Sequence, residues 1–453
     1  MIWSTKDLSS ALNLKIHPNI HGEAIQFNSN SVAKGDLFIA LKGNNDGHNY
    51  AVHALQNGAN AVIISKEVVG LTSDKVIMVA DTFLALQQMA EYKRQKSKAK
   101  FIAITGSSGK TSTKEATKIV LSHFGRTYAS RGNFNNYLGV PINLASMPDD
   151  TEYAILEIGM NHAGEIRELT NVVKPDISVI TTISEAHLEF FQSMLDLTDA
   201  KCEIFEGMSK EGVAVINLDN PYYHRILENL KKLSINNVFT FGTAAEANSR
   251  LELYQQDGQN VRLKYSGTKE ISLTFIPKHF AINYAAILQI ATILHLDKDI
   301  LANQLAKILL TKGRGKIVKA KYLGQNYQLI CDYYNANPES LKASLLYLKQ
   351  VSGKNKIAII GDMLELGENS AELHKALVPV IIDSGAKKIL LVGDKVKHIY
   401  DLLPKELKKI HFANVNDLIS KLAELLNGDE LILIKGSRGI KLDKIIQSFE
   451  LLP

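Results

Sequence analysis

Short apolar runs, each stopped by a polar or charged residue, recur along the chain with helical stretches between most of them. Near the start, Asp36-Leu-Phe-Ile-Ala-Leu41 reads as a buried strand, residues 50–57 as a short helix and Ala61-Val-Ile-Ile64 as a second strand, which together make a small α/β module. Beyond residue 100, Phe101-Ile-Ala-Ile104, Tyr153-Ala-Ile-Leu156, Ile177-Ser-Val-Ile180 and Val213-Ala-Val-Ile216 have the unbroken apolar character of parallel strands covered on both faces. From Leu251 to Phe275 polar and apolar residues alternate instead, which predicts an antiparallel meander at a sheet edge. A third region returns to the α/β rhythm with Leu329-Ile330, Ile357-Ala-Ile-Ile360, Ile389-Leu-Leu-Val392 and Leu431-Ile-Leu-Ile434. Asp332, Asp362, Asp394 and Lys435 fall at or just past the ends of those runs. In a parallel sheet such ends share one rim, where ligands bind.

Two segments divide these regions. Lys93 to Lys100 is a charged run that reads as a solvated linker, and Lys312-Gly-Arg314-Gly-Lys316 is turn-rich. The expected organisation is an α/β protein of three domains: a small N-terminal α/β domain (1–96), a central domain with a mostly parallel sheet (97–312) and a C-terminal Rossmann-like domain (313–453). A chain of 453 residues has room for about three domains. With 52 Lys+Arg against 47 Asp+Glu, the charge lacks the dense basic face of a nucleic-acid binder, so no nucleic-acid partner is expected. Cys202 and Cys331 form neither a CxxC motif nor a disulfide framework. No leader-like start and no membrane-length apolar run is present, so the chain is expected to be soluble, cytoplasmic and not inserted in a membrane.

The sharpest chemical signal is Thr105-Gly106-Ser107-Ser108-Gly109-Lys110-Thr111-Ser112, directly after one apolar run and before a helical stretch with Ala116, Ile119, Val120 and Phe124 on one face. Strand, glycine loop and helix stand in the order a phosphate loop requires. Glycines let the backbone wrap phosphate oxygens, the helix N-terminus offers unpaired N–H groups, Lys110 adds a charge and Thr111 a ligand for Mg2+. Ile104 stands where the longer form of the motif has its first glycine, so the match is to a shorter variant. Glu157, at the end of another predicted strand, reads either as a magnesium carboxylate or as a solvent-facing charge. His187 follows the next strand and reads as a loop histidine or a metal ligand. Asn133, Asn135 and Asn136 lie in Gly132 to Pro141, read as a loop whose amides either grip a polar substrate or make turns.

Taken together, these segments resemble the Mur ligases, ATP-dependent amide-forming enzymes of bacterial peptidoglycan precursor synthesis. The likeness runs along nearly the whole chain. Thr105 to Thr111 looks like the family's phosphate loop, Glu157 like its magnesium carboxylate, His187 like its metal-site histidine and Lys201, in Ala200-Lys-Cys-Glu203, like the lysine that becomes carbamylated. His279 and Asn283 resemble the adenine-contacting segment, and Gly313-Arg314 the start of the C-terminal domain. Asp332-Tyr-Tyr334-Asn335-Ala-Asn337-Pro338, Gly361-Asp-Met-Leu-Glu365-Leu-Gly367 and Lys435-Gly-Ser437-Arg438 are similar to the members that add D-alanyl-D-alanine to UDP-N-acetylmuramoyl-tripeptide. Departures are Asn28-Ser29-Asn30, where the family often shows Asp-Ser-Arg, and Cys331 and Tyr333 beside Asp332.

The resemblance implies an N-terminal domain that binds the UDP-linked substrate, with Ser29 among its contacts, and a central domain that binds ATP. It implies ATP and Mg2+ as cofactors, Lys201 as a carbamate, and an acyl-phosphate intermediate made from the tripeptide carboxylate. Lys110, Glu157, His187 and Lys201 would be catalytic, the last three with Thr111 holding metal. Ser112, Asn283, Arg314 and Asp332 would join the loop in binding ATP. Asn133, Asn135, Asn136, Tyr334, Asn335 and Asn337 would meet the peptide substrates, although Asn335 and Asn337 equally suit a turn before Pro338. A monomer is expected. The competing readings are another Mur ligase, a folylpolyglutamate-type synthetase, or a nucleotide-sensing module that transfers nothing.

Overall fold

The computed structural model of the chain describes residues 2–257, 260–274, 276–305, 308, 313–353 and 355–452. Among them the strands form three sheets of four, nine and seven strands. The first is wholly parallel, Ile25–Gln26, Leu37–Ile39, Ala61–Ile64 and Val76–Met78 in chain order. In the second, Lys100–Thr105 runs between Tyr153–Glu157 and Ile177–Ile180, all parallel. Its far edge is the antiparallel meander Ser249–Asp257, Asn260–Tyr265 and Ile271–Thr274. In the third, Gln325–Cys331, Leu431–Lys435, Lys356–Gly361, Lys388–Val392 and Lys408–Phe412 are parallel neighbours in that order. The expected apolar runs are buried strands, apart from half-buried Tyr153 and Val213 at the start of theirs, because apolar cores form on both faces of each sheet.

Several expectations change. Only part of the charged run is a solvated linker: Lys96, Lys98 and Lys100 are exposed and residues 97–99 join a helix to the strand Lys100–Thr105, but its first residues belong to that helix. The helix Thr82–Lys96 carries Lys93 and Arg94, and Lys93 is buried with its ammonium donating to the Ile2 carbonyl at 2.6 Å and to the Asp149 carboxylate. Arg94 donates to the Val173 and Lys174 carbonyls and lies over the Phe101 ring. A basic run can face inward when each charge finds an acceptor and each stem an apolar wall. Gly132 to Pro141 is not all loop either, since Gly139–Ala145 is a helix; its Ile142 and Ala145 pack into the core around Trp3, Leu8 and Met89.

On the phosphate-loop helix, Lys110–Leu121, Ala116 and Val120 are buried but Ile119 faces outward. The segment after Gly315 is a strand, Lys316–Tyr322, paired as a hairpin with Gln325–Cys331. Of the four rim residues in the third sheet, Asp362 accepts the Asp394 and Val396 amides at 3.0 and 2.9 Å and Asp394 pairs with Lys397, so neither joins Asp332 and Lys435. Phe275 and Lys312, taken as the ends of the meander and of the central domain, lie outside the described residues. No helix among the described residues is long and apolar enough to cross a membrane.

Candidate active site

The parallel register brings the pieces together. Ile104 pairs with Glu157 and Thr105 with Ile180, so the glycine loop, the carboxylate and the segment leading to His187 all leave the sheet at one rim. Gly106 has φ +147°, and a Cβ there would fall 2.0 Å from Thr181 Oγ1; Gly109 has φ +82°, and its Cβ would meet Asn283 Nδ2 at 2.5 Å. Only glycine fits either place. Gly109 caps the helix with no side chain, which leaves the first N–H groups open. Lys110 folds back to donate to the Gly106 carbonyl at 2.6 Å. Burial holds its ammonium below the usual lysine range against the pull of Glu157, and Arg314 adds to the lowering.

Thr111 Oγ1 donates to Glu157 Oε2 at 2.7 Å and accepts from Arg314 Nη2 at 2.9 Å. Glu157 Oε1 accepts from Asn135 Nδ2 at 2.7 Å. A hydroxyl and a nearly buried carboxylate beside open helix N–H groups are the hard oxygen donors that Mg2+ takes together with phosphate oxygens. No cluster of three or more metal-ligating side chains occurs among the described residues.

Lys201 is buried near the end of the helix Met194–Cys202. Burial drives its amine well below the usual lysine value, helped by repulsion from Lys110. His187 is likewise held low, first by burial and then by the positive fields of Lys110 and Lys201, against an opposing pull from Glu365. Its Nδ1 is 2.7 Å from Glu365 Oε2, a close contact off the line a hydrogen bond requires.

The third sheet supplies the opposite wall. Lys435 Nζ donates to Asp332 Oδ2 at 2.8 Å and to the Asn335 carbonyl at 3.1 Å. The Tyr334 ring lies between two guanidinium groups, Arg314 at 4.1 Å and Arg438 at 5.3 Å. His279, whose imidazole burial pulls down to about 4, and Asn283 face the same space. The result is an interdomain cavity of about 430 Å³ reached by Ser107 to Ser112, Asn133, Asn135, Glu157, His187, Arg314, Asp332, Tyr334, Asn335 and Asn337.

Other expected site residues stand elsewhere. Thr105 is buried beneath the loop, and Lys201 sits behind the cavity lining. Ser29 is held in the first domain, its Oγ 3.0 Å from His53 Nδ1 and its carbonyl accepting from Asn57. Asn136 caps the helix Gly139–Ala145 by accepting the Gly139 amide. Asn337, by contrast, lines the cavity and also caps the helix Pro338–Gln350. The sequence reading passed over Lys114, Asn217 and Glu339. Buried Lys114 donates to the Ser130 and Gly132 carbonyls and so supports the asparagine loop. Asn217 and Glu339 line the cavity. Asn217 ends a strand on the same rim as Glu157, a signal that strand ends alone carried.

Residues 104–291 match the family described as the Mur ligase middle domain, and residues 313–438 that described as the Mur ligase, glutamate ligase domain. A Rickettsia prowazekii protein named UDP-N-acetylmuramoyl-tripeptide--D-alanyl-D-alanine ligase is 55% identical over 99% of this chain and all of its own. A crystal structure of MurF from Acinetobacter baumannii superposes with a TM-score of 0.84 at 28% identity, covering 98% of both chains. MurF ligase from Thermotoga maritima in complex with ADP gives 0.77 at 26% identity over 94% of this chain and 96% of its own.

Proposed function

This chain belongs to the Mur ligase family, and from that premise we propose that it uses ATP to join D-alanyl-D-alanine to UDP-N-acetylmuramoyl-tripeptide in peptidoglycan precursor synthesis. The observation that carries the reading is geometric: Arg314 of the third region meets Thr111 of the phosphate loop in one shared cavity. A nucleotide sensor needs no such second wall. The match of nearly the whole chain to an enzyme named for this reaction supports the choice of substrates.

The loop amides and Lys110 hold the triphosphate, while His279 and Asn283 suit the base. Thr111 and Glu157 are placed to hold Mg2+, which supplies charge neutralisation among the phosphates. Arg314 is drawn from Thr111 to a phosphate oxygen when nucleotide enters. An oxygen of the tripeptide's terminal carboxylate attacks the γ-phosphorus and the bond to ADP breaks. The neutral amine of D-alanyl-D-alanine, positioned near Asn335, then attacks the acyl carbon. A C–N bond forms, the amine loses its proton, and phosphate departs with one oxygen of the former carboxylate. The two walls flank the acyl phosphate and limit the access of water to it.

Lys201 belongs in this scheme as a carbamate. A cationic ammonium there would repel a metal, but its depressed basicity supplies the free amine that CO2 adds to with loss of a proton, giving two hard oxygens beside His187 for a second cation. The first domain takes the UDP end, and the enzyme works as a cytoplasmic monomer. The deciding experiment is a phosphate-release screen of amine acceptors with the UDP-linked tripeptide and ATP. Release should require D-alanyl-D-alanine and Mg2+; release driven by a single amino acid, or by glutamate with a folate, overturns the assignment.

A further inference from the structure

One contact between the two walls has no part in the scheme above. His187, just past the strand Ile177–Ile180, and Glu365, just past Lys356–Gly361, touch across the domain boundary at 2.7 Å. Both have left-handed backbone, with φ of 59° and 62°, in residues that rarely adopt it. Neighbouring contacts hold the two turns in place. The Glu189 amide donates to the Glu365 carbonyl at 3.3 Å, and Gly367, at φ +63°, lies so close that a Cβ on it would stand 3.2 Å from Glu189 Cα. Two strained turns are thus fitted to each other, and what the fit accomplishes is to set a carboxylate against an imidazole.

Nδ1 of His187 is buried and hydrogen-bonded to nothing among the described residues; Glu365 is the group in contact with it. A carboxylate beside Nδ1 favours the tautomer that carries its proton there and leaves the Nε2 lone pair available, and once the contact straightens into a hydrogen bond this is the arrangement by which a carboxylate orients a metal-binding histidine. We propose that Glu365 is a positioning residue that reaches from the C-terminal domain to set His187 for a divalent cation, so that the histidine becomes competent only when the domains close. This rests on the reaction assigned above, and it adds that the closure which excludes water also arms the metal-site histidine.

The test uses the full chain with ADP and Mn2+ as the probe, free Mn2+ being read by electron paramagnetic resonance. His187→Ala should remove one Mn2+ equivalent or weaken it. Glu365→Ala and Glu365→Gly should weaken that same equivalent by about 10–100-fold, the range for removing a partner that orients a ligand. Glu365→Gln, which keeps an acceptor oxygen, should lose less. Glycine relieves the left-handed backbone, so a role confined to shaping the turn predicts parental binding in Glu365→Gly. In a His187→Ala background, Glu365→Ala should change nothing further. Parental Mn2+ binding in Glu365→Ala or Glu365→Gly, an unchanged isotherm in His187→Ala, or an equal Glu365 effect without His187 overturns the proposal. The readout involves neither peptide substrate, so failure to ligate D-alanyl-D-alanine would sink the functional assignment and leave the binding result standing.

Discussion

Lys201 depends most on its surroundings for its chemistry. Placed in water it would be an ordinary cation; sealed behind the phosphate loop beside Lys110, it is held toward the free amine. Replacing it with alanine is expected to lower ligation by about 10²–10³-fold, the scale of losing a preorganised electrostatic group. Acetate or formate should restore part of the rate by supplying the missing oxygens. Ordinary turnover by Lys201→Ala in a phosphate-release assay would end the carbamate reading. Nothing in the residues around Lys201 marks it in sequence, since a lysine late in a helix is commonplace, and likeness to a family was what singled it out. The glycine loop was different: a glycine run followed by lysine and threonine between an apolar strand and a helix has few innocent explanations, whereas Glu157 alone also read as a strand-end charge until the register set it beside Thr111.

Among the elements, the helix Pro338–Gln350 shows how a motif residue can serve the scaffold. Asn337 accepts the Ser340 amide at 2.8 Å, and Ser340 Oγ accepts the Asn337 amide at 3.0 Å, closing a capping box just before Pro338. Asn337→Ala should therefore destabilise the protein by about 1 kcal/mol in urea unfolding, and Asn337→Asp should keep most of that stability. Unchanged stability with a raised KM for the dipeptide would make Asn337 a substrate contact instead. Strand legibility followed burial. Runs such as Ala61–Ile64 and Leu431–Lys435 are buried and read as apolar blocks, whereas Lys316–Tyr322, one strand in from the edge, and the edge strand Lys408–Phe412 mix lysine with apolar residues because one side meets water. The helix Gly139–Ala145 hid behind a glycine and a proline that suggested a turn.

At the level of the whole molecule, the first two regions are welded. Trp3 Nε1 donates to the Ala145 carbonyl at 2.7 Å, Ile142 joins the first region's core, and Lys93 bridges Ile2 and Asp149. Asp149→Ala strands a buried ammonium. Breaking a buried pair costs about 3–5 kcal/mol, but the Asp149 side chain is 44% exposed, so screening reduces the expected loss to about 1–2 kcal/mol. Calorimetry should show these two regions melting together at a lowered Tm, and a separate early transition for residues 1–96 would contradict the weld. The order of strands and helices, the phosphate loop and the rim carboxylate were legible in the chain itself, because burial periodicity and glycine geometry are local properties that nearby residues impose. Which lysines lie inside, which asparagines cap rather than bind, and which C-terminal side chain meets His187 depended on packing between segments far apart in sequence. Desolvation and contact across domains are set by neighbours that no local pattern names.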